Sequence, residues 1–346
     1  MALAGMYLRR LFTLVRTEVL VLPSRVMVAL FFLTLLGLPL VTRNPYLIRV
    51  IILTSIFAIL AASWDLLSGF TGQMNFGHAL FFGVGAYASA MLNVHLHIPP
   101  WGSIPLGAVF AVLAGLLVGI PCLRLKHTYL ALTTMAFPII LLGIVFALPD
   151  FTGGELGISG LKRLTNSLVG GYYIHVVLML ALCTIMWKIT DSNMGIIFHA
   201  IREDELAVKA SGINTTLYKL IAFSLSGLFA GIAGGLYAHY MRIAGPSTLE
   251  VSMSFTVVIW GVFGGMATIY GPVAAVFLLF PFLELIRFWP EYRTLIFAVV
   301  VLLILLYMPE GLIPWIRDKI ETECPRCKVR NIATRKACRI CGAELD

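Results

Sequence analysis

The chain has 346 residues, of which 60% are hydrophobic and only 12% charged, and its mean hydropathy is +0.94. A soluble globular surface needs roughly a quarter charged residues, so this composition excludes a soluble protein and points to an all-α polytopic membrane protein. The net charge of +8 is met by basic loops beside anionic headgroups, which makes membrane lipid an expected contact and nucleic acid not one.

In chain order, apolar windows of membrane length predict spans at 26–42, 46–67, 79–93, 104–123, 128–148, 172–189, 217–240, 253–269, 272–289 and 294–308. That is about ten transmembrane helices, some of them short. Arg9, Arg10, Arg16 and Arg25 precede the first span, and Arg124, Lys126, Lys188, Arg202, Lys209 and Lys219 fall in loops on the same side. The positive-inside rule therefore places the N- and C-termini in the cytoplasm. Arg43, Lys162, Arg163, Arg242 and Arg293 fall on the outer side, so the rule acts here as a bias. Residues 1–25 read as a cytoplasmic N-terminal segment, 26–315 as the transmembrane domain and 316–346 as a cytoplasmic tail. The first span is long and has no small-residue cleavage site after it, which reads as an uncleaved anchor.

Between the second and third predicted spans, residues 65–78 read Asp-Leu-Leu-Ser-Gly-Phe-Thr-Gly-Gln-Met-Asn-Phe-Gly-His. Such glycines and hydrogen-bonding side chains are poor material for a lipid-facing helix. Irregular backbone at that depth must be buried in protein or line a cavity, and an ionisable group such as Asp65 is a functional candidate there. Asp65, Gly72, Gln73, Asn75, Gly77 and His78, with Gly83, Gly85 and Tyr87 of the small-residue helix that follows, are the pathway or gating candidates. The competing reading is a cytoplasmic turn in which Gln73, Asn75 and His78 satisfy local backbone.

The outer segment 152–158 contains Gly153, Gly154, Glu155 and Gly157, by composition a flexible glycine-rich loop. Residues 191–214 form the one long polar island. Ile197, Ala200, Ile201, Ala207 and Val208 recur on one helical face, with Arg202, Glu203, Glu205 and Lys209 on the other. Glu205 and Lys209 have the favoured acid-then-base spacing, Asn193 is placed to cap the start and Gly212 to end the helix. Too charged to span, this helix either lies on the membrane surface or is presented to a cytoplasmic partner, and Ala207, Ala210 and Gly212 favour close approach of a partner. Glu284 and Arg287 are an i,i+3 pair near a helix end.

After Trp315 hydropathy collapses. Cys324-Pro325-Arg326-Cys327 and Cys338-Arg339-Ile340-Cys341 offer four thiolates to one tetrahedral Zn(II), a small four-cysteine zinc ribbon. So short a tail has no core of its own, and metal binding would supply its folding free energy. Disulfides are the rival, disfavoured on a reducing cytoplasmic side. The other two cysteines, Cys122 and Cys183, read as packing residues. From Arg317 on, eight Lys or Arg face five acids, with no aromatic residue for base stacking.

Leu67-Ser68-Gly69-Phe70-Thr71-Gly72-Gln73, Phe76-Gly77-His78-Ala79 and Gly83-Val84-Gly85-Ala86-Tyr87 together resemble the signature of branched-chain amino acid ABC transporter permeases of the LivM type. Ala200 to Ala207 with Gly212-Ile213-Asn214 is similar to that family's cytoplasmic coupling segment, here 195–214. Gly264-Gly265, Gly271-Pro272 and Pro309-Glu310-Gly311-Leu312 also match. The resemblance implies a permease subunit of an importer, working with a homologous second permease subunit, two ABC ATPase subunits and an extracytoplasmic substrate-binding protein. Arg202, Glu203, Glu205, Ala207, Ala210 and Gly212 are then the ATPase-coupling residues, and Gly153, Gly154, Glu155 and Gly157 candidates for docking the binding protein. No Gly-x-x-x-x-Gly-Lys-Ser/Thr phosphate loop occurs, so ATP is expected on partner subunits only and the chain is not expected to be an enzyme. Branched-chain amino acids lead as substrate, with urea or other small amides the alternative. An ion-coupled secondary carrier would have to work through Asp65, Glu284 and Arg287. The chain departs from the family pattern at Asp65, where a carboxamide is frequent, and at Met266-Ala267-Thr268-Ile269-Tyr270, where another glycine is usual.

Overall fold

The computed structural model describes residues 23–42, 44–122, 125, 127–308, 311–327, 330–333, 337–338, 340–344. The orientation residues Arg9, Arg10, Arg16, Arg43, Arg124 and Lys126, the motif residues Pro309 and Glu310, and several basic residues of the tail lie outside them. The helices are α1 (Pro23–Val41), α2 (Pro45–Trp64), α3 (Ala79–Val94), α4 (Pro100–Cys122), α5 (His127–Ala147), α6 (Leu168–Thr190), α7 (Asn193–Glu203), α8 (Glu205–Ala210), α9 (Thr215–Met241), α10 (Val251–Gly264), α11 (Tyr270–Leu285), α12 (Pro290–Tyr307) and α13 (Leu312–Ile320). Two short antiparallel pairs complete the fold, β1 (Ile158–Ser159) with β2 (Ile243–Ala244), and β3 (Glu321–Glu323) with β4 (Arg330–Ile332).

Six helices among the described residues are long and apolar enough to cross a membrane: Pro45–Gly69, Pro100–Cys122, Tyr129–Ala147, Leu168–Thr190, Thr215–Met241 and Tyr270–Phe288. Leu30–Val41, Ala79–Val94 and Val251–Gly264 are apolar but shorter. The expectation of about ten spans is therefore reduced to these six at full length. Apolar windows do not register backbone breaks, and breaks account for the difference at 79–93 and 253–269. α3 starts only after an irregular stretch at 72–78, and the window expected at 253–269 ends at Gly264, because Gly265 takes φ +103° and Ile269 φ +52°.

Helix starts follow local chemistry. Asn44 caps α2 by accepting from the Tyr46 N–H at 3.0 Å, with Pro45 at the first helical position. Ser167 caps α6 and Asn214 caps α9 in the same manner. In the unit Asn44–Gly311, α3, α4 and α9 pack against one another through small residues. A Cβ on Gly85 would fall 2.3 Å from the Gly231 carbonyl oxygen, and one on Gly234 would fall 1.9 Å from that of Phe82. Helices in lipid gain association energy from such close backbone approach and not from a hydrophobic drive. α2 lies inside this assembly, contacting α6, α9, α10 and α11, and from Ile52 to Phe70 nearly every residue is buried. A separate unit joins α1, α13 and the cysteine-bearing hairpin β3–β4.

Candidate functional site

The end of α2 does not stop at Trp64. It continues as one turn of π-helix, Asp65–Gly69, the kind of widened turn that concentrates at functional positions. The turn places the Asp65 carboxylate, fully buried, beneath the loop that joins α10 to α11. There it accepts three backbone N–H groups: Ala267 at 2.7 Å, Thr268 at 3.0 Å and Ile269 at 2.9 Å. Ala267 and Ile269 hold φ of +61° and +52°, conformations costly for residues with a Cβ. A charged acceptor shared by three donors offsets that cost. Asp65 and the segment 267–269, both singled out by the sequence, are thus hydrogen-bonded to each other. Gly69 is required beside them, since a Cβ there would meet Asp65 Oδ1 at 1.9 Å. Gly311 at φ +98° closes over the same loop, its missing Cβ 2.5 Å from Gly265 Cα.

Beyond Gly69 the chain folds back along α2. Trp64 Nε1 donates to the Asn75 carbonyl at 2.8 Å, and the Asn75 N–H donates to Ser68 Oγ at 3.2 Å. Asn75 Oδ1 accepts from the Gly77 N–H at 2.8 Å. Ser63 Oγ donates to Leu60 O at 2.7 Å, so His78 Nε2, 2.9 Å from that hydroxyl, carries the proton it donates. The Phe76 and Ala79 N–H groups are taken up by Thr134 of α5 and Ser254 of α10. The segment is therefore folded into the helical bundle: the Asn75 side chain takes a local backbone N–H, that of Gly77, whereas His78 bonds the Ser63 hydroxyl of α2. Gln73 is buried, and neither atom of its amide has a hydrogen-bond partner among the described residues. The Tyr87 hydroxyl is likewise buried and unpartnered there. Gly77, Gly83 and Gly85 sit at close packing contacts, with Thr134, Leu249 and Gly231 respectively.

The polar island is two helices and not one. Ser192 caps α7, a role expected of Asn193, which instead is the first helical residue. Asp204 leaves helical geometry at φ −152° and ψ 99°, ends α7 and caps α8 by accepting from the N–H groups of Leu206 and Ala207. Asp and Asn favour such positions because the short side chain replaces a missing backbone partner. Gly212, at φ +81°, follows the end of α8. The buried face of the pair is Phe198, Ile201 and Val208. Ala207, expected on that face, is exposed, as are Glu203, Ala210 and Gly212.

Arg202 connects this surface to the π-turn. Its Nη1 donates to the Gly69 carbonyl at 2.8 Å, and Phe70 stacks near His199 with ring centroids 4.9 Å apart. Glu205 makes the expected pair with Lys209 at 2.9 Å. It also bonds Lys219 of α9 and accepts from Thr215 Oγ1 at 3.1 Å. Burial alone would raise its pKa, but the hydrogen bonds and charges of Lys219 and Lys209, with the Thr215 hydroxyl, pull it down to about 2. Glu205 is thus a strut between α8 and α9. The outward groups that sequence reasoning passed over are Ile196 and Leu206, 68% and 76% exposed. An apolar residue among charges at the tip of a surface helix is the signal that marks them.

The outer segment, expected to be flexible, is folded. The Thr152 hydroxyl donates to the Val145 carbonyl at 2.6 Å, Gly153 and Gly157 supply positive φ, and β1 pairs with β2. A Cβ on Gly157 would lie 2.3 Å from the Ala244 carbonyl oxygen. Gly154 is buried, while Gly153, Glu155 and Leu156 face outward.

In the tail, the four Sγ atoms of Cys324, Cys327, Cys338 and Cys341 lie within 4.8 Å of one another, with Cys324–Cys341 and Cys327–Cys338 at 3.5 Å each. The four are not joined in disulfides. A tetrahedron with Zn–S bonds of ~2.3 Å has S–S edges of ~3.8 Å, so the donor set fits one zinc ion. The backbone N–H groups of Cys341 and Ile340 pull the Cys338 thiol down to about 6, and Asn331 Nδ2 approaches the same sulfur at 3.6 Å. Sulfur-directed donors of this kind orient and tune metal ligands.

Membrane-length helices around a buried, interrupted α2, with amphipathic helices at one end, define a polytopic membrane protein. Residues 46–307 match the family described as branched-chain amino acid transport system / permease component. The chain belongs to that family and is a multi-pass cell-membrane protein of LivM-like type. It is 29% identical over 298 residues to the high-affinity branched-chain amino acid transport system permease protein LivM of Escherichia coli (strain K12), covering 78% of this chain and 70% of that one. Two probable branched-chain amino acid transport permeases of Methanocaldococcus jannaschii are each 25% identical. LivM aligns over 75% of this chain and 90% of its own length, LivH over 64% and 74%.

Proposed function

We propose that this chain is the LivM-like permease subunit of an ATP-driven importer of branched-chain amino acids, paired with a homologous LivH-like permease, two ABC ATPases and an extracytoplasmic binding protein. The observation that carries this reading is the Arg202–Gly69 hydrogen bond. It ties the exposed helix pair α7–α8 to the π-turn whose Asp65 holds the α10–α11 loop. Movement imposed on α7 and α8 by an ATPase reaches two spans through this one contact, which is what alternating access requires of a coupling device. Leu206, Ala207, Ala210 and Gly212 form the contact surface, Arg202 and Glu205 transmit, and Glu203 flanks them at the α7–α8 break. Gln73 is the pathway residue of the 65–78 break, since its buried amide lacks a partner. Gly153, Glu155 and Leu156 present the outer loop to the binding protein.

The permease domain is 26–315, and the tail 316–346 is a zinc-bound ribbon on the cytoplasmic side. Cys324, Cys327, Cys338 and Cys341 would hold the zinc, which would supply folding energy to the tail. Metal analysis of the purified chain is expected to give one zinc per chain, and none in Cys338→Ser.

The test of the whole reading is uptake of radiolabelled leucine, against urea, in vesicles holding the chain with and without its four partner subunits. ATP-dependent leucine uptake by the complete assembly only is the expected result. Uptake by the chain alone under an ion gradient, or uptake of urea in place of leucine, overturns it.

A further inference from the structure

At the opposite end of α2 from Asp65, a cavity of 480 Å³ opens between the first turns of α2, the start of α6, the end of α9 and the end of α11. Its volume is in the range of small-molecule sites, roughly 300–1,000 Å³. α9 starts beside α8 and is 27 residues long, so its far end, where Tyr240 and Met241 line the cavity, stands ~40 Å from the coupling helices at 1.5 Å per residue. Under the orientation proposed above this is the outer mouth of the permease.

The cavity is chemically two-sided. Ile52, Leu53 and Phe280 make one wall apolar. Around it stand Arg49, Arg163, Glu284 and Arg287. Glu284 pairs with Arg287 at 3.0 Å, whereas Arg49 and Arg163 make no ion pair among the described residues. His175, 3% exposed, also lines the space. Its Nδ1 donates to the Gly171 carbonyl at 2.7 Å, which leaves Nε2 as an acceptor, buried and without a partner among the described residues. Arg49 and Arg163 are exposed at the mouth, and two guanidiniums there attract an anion.

We propose that this cavity is an acceptor site within the permease for a zwitterionic α-amino acid with an apolar side chain. Arg49 and Arg163 take the carboxylate, Glu284 the ammonium, and the Ile52–Leu53–Phe280 wall the side chain. The proposal rests on the reading of the chain as an amino-acid permease and deepens it: the permease, and not the binding protein alone, then recognises the substrate. Urea, which has no carboxylate, leaves both guanidiniums unpaired and is rejected.

The experiment uses the complete reconstituted assembly carrying Leu53→Cys, with the wild-type chain as background for its native thiols. A membrane-impermeant thiol reagent is applied with leucine, with urea or with neither. Leucine at millimolar concentration is expected to slow labelling about tenfold, as a site mostly filled at ten times its dissociation constant requires, and urea to leave it unchanged. Arg49→Gln in the same background abolishes that protection and lowers leucine uptake at least about tenfold. Where Leu53→Cys or Arg49→Gln does not assemble, Met241→Cys and Arg163→Gln take their places. Leucine uptake without protection, or equal protection by urea, overturns the site alone. A wild-type assembly that takes up no leucine overturns the permease reading itself, and the site with it.

Discussion

At the end of α2 that meets α7, Asp65 accepts three backbone N–H groups and the Gly69 carbonyl accepts Arg202. At the other end of the same helix, Arg49 lines a cavity together with Arg163 and His175, whose buried Nε2 has no partner among the described residues. Polar groups satisfied within the protein make a stiff joint, since each hydrogen bond in a buried network strengthens its neighbours. Polar groups left open make a surface that waits for a ligand. Under the proposals above, one helix thus carries both a device for transmitting movement and a device for binding. The Gln73 amide is the exception at the stiff end, an opening among satisfied neighbours.

The largest effect is expected at Asp65. Asp65→Ala leaves three donors unsatisfied, Ile269 buried and Ala267 and Thr268 partly buried, with a cost of ~1–3 kcal/mol for a buried one. A drop in melting temperature of at least ~5 °C in detergent follows, at a few degrees per kcal/mol. Asp65→Asn keeps an acceptor and falls between Ala and wild type. A melting curve for Asp65→Ala that overlays wild type would break the contrast between the two ends, because the joint would then carry no energy.

Next come the glycines that let α3 and α9 meet. Gly234→Val forces a side chain into the Phe82 carbonyl, and overpacking of this sort costs ~1–3 kcal/mol. A lower melting temperature with uptake reduced in proportion to folded protein is expected; unchanged stability would show that these helices separate freely.

Glu205→Lys is expected to act on transport more than on folding. The carboxylate is 34% exposed, so its ion pairs with Lys209 and Lys219 are worth only ~1 kcal/mol. The substitution sets three cations together and detaches α8 from α9. Binding-protein-stimulated ATPase uncoupled from uptake is the result to look for, and full coupling in Glu205→Lys and in Gly212→Leu together would remove α8 from the mechanism.

The smallest effect concerns pH. With its pKa lowered to about 2, Glu205 contributes stability that is complete above the ordinary carboxylate range near 4.3 and is lost only as pH falls through about 2. The stability difference between wild type and Glu205→Gln is therefore expected to stay flat from pH 5 to pH 8. A difference that changes across that window would mean that the carboxylate titrates there and is not held by the two lysines.

Features set by neighbours in sequence were legible before any coordinates. The Glu205–Lys209 pair follows from i,i+4 spacing, the break after α2 from its glycines, and the thiol cluster from two Cys-x-x-Cys pairs. Lys219 as the second partner of Glu205, and the three donors on Asp65, lie too far along the chain for spacing to expose. The split of the polar island at Asp204 was masked by a continuous amphipathic pattern, which one residue in extended geometry does not interrupt. The glycine-rich outer segment read as flexible because composition reports backbone freedom, whereas its order comes from pairing with β2, some 85 residues onward.

By itself the sequence determined that this protein lives in a membrane, that it is helical, which family it resembles and where its thiols gather. Those follow from composition and from short-range periodicity, which act within a turn or two of chain. Tertiary structure alone decided which helices run full length, that Arg202 meets Gly69, that Asp65 anchors a loop 202 to 204 residues away, and that Arg49, Arg163 and His175 share one cavity. Those are meetings of distant segments, and they depend on how α2 is buried among its neighbours, which no local pattern encodes.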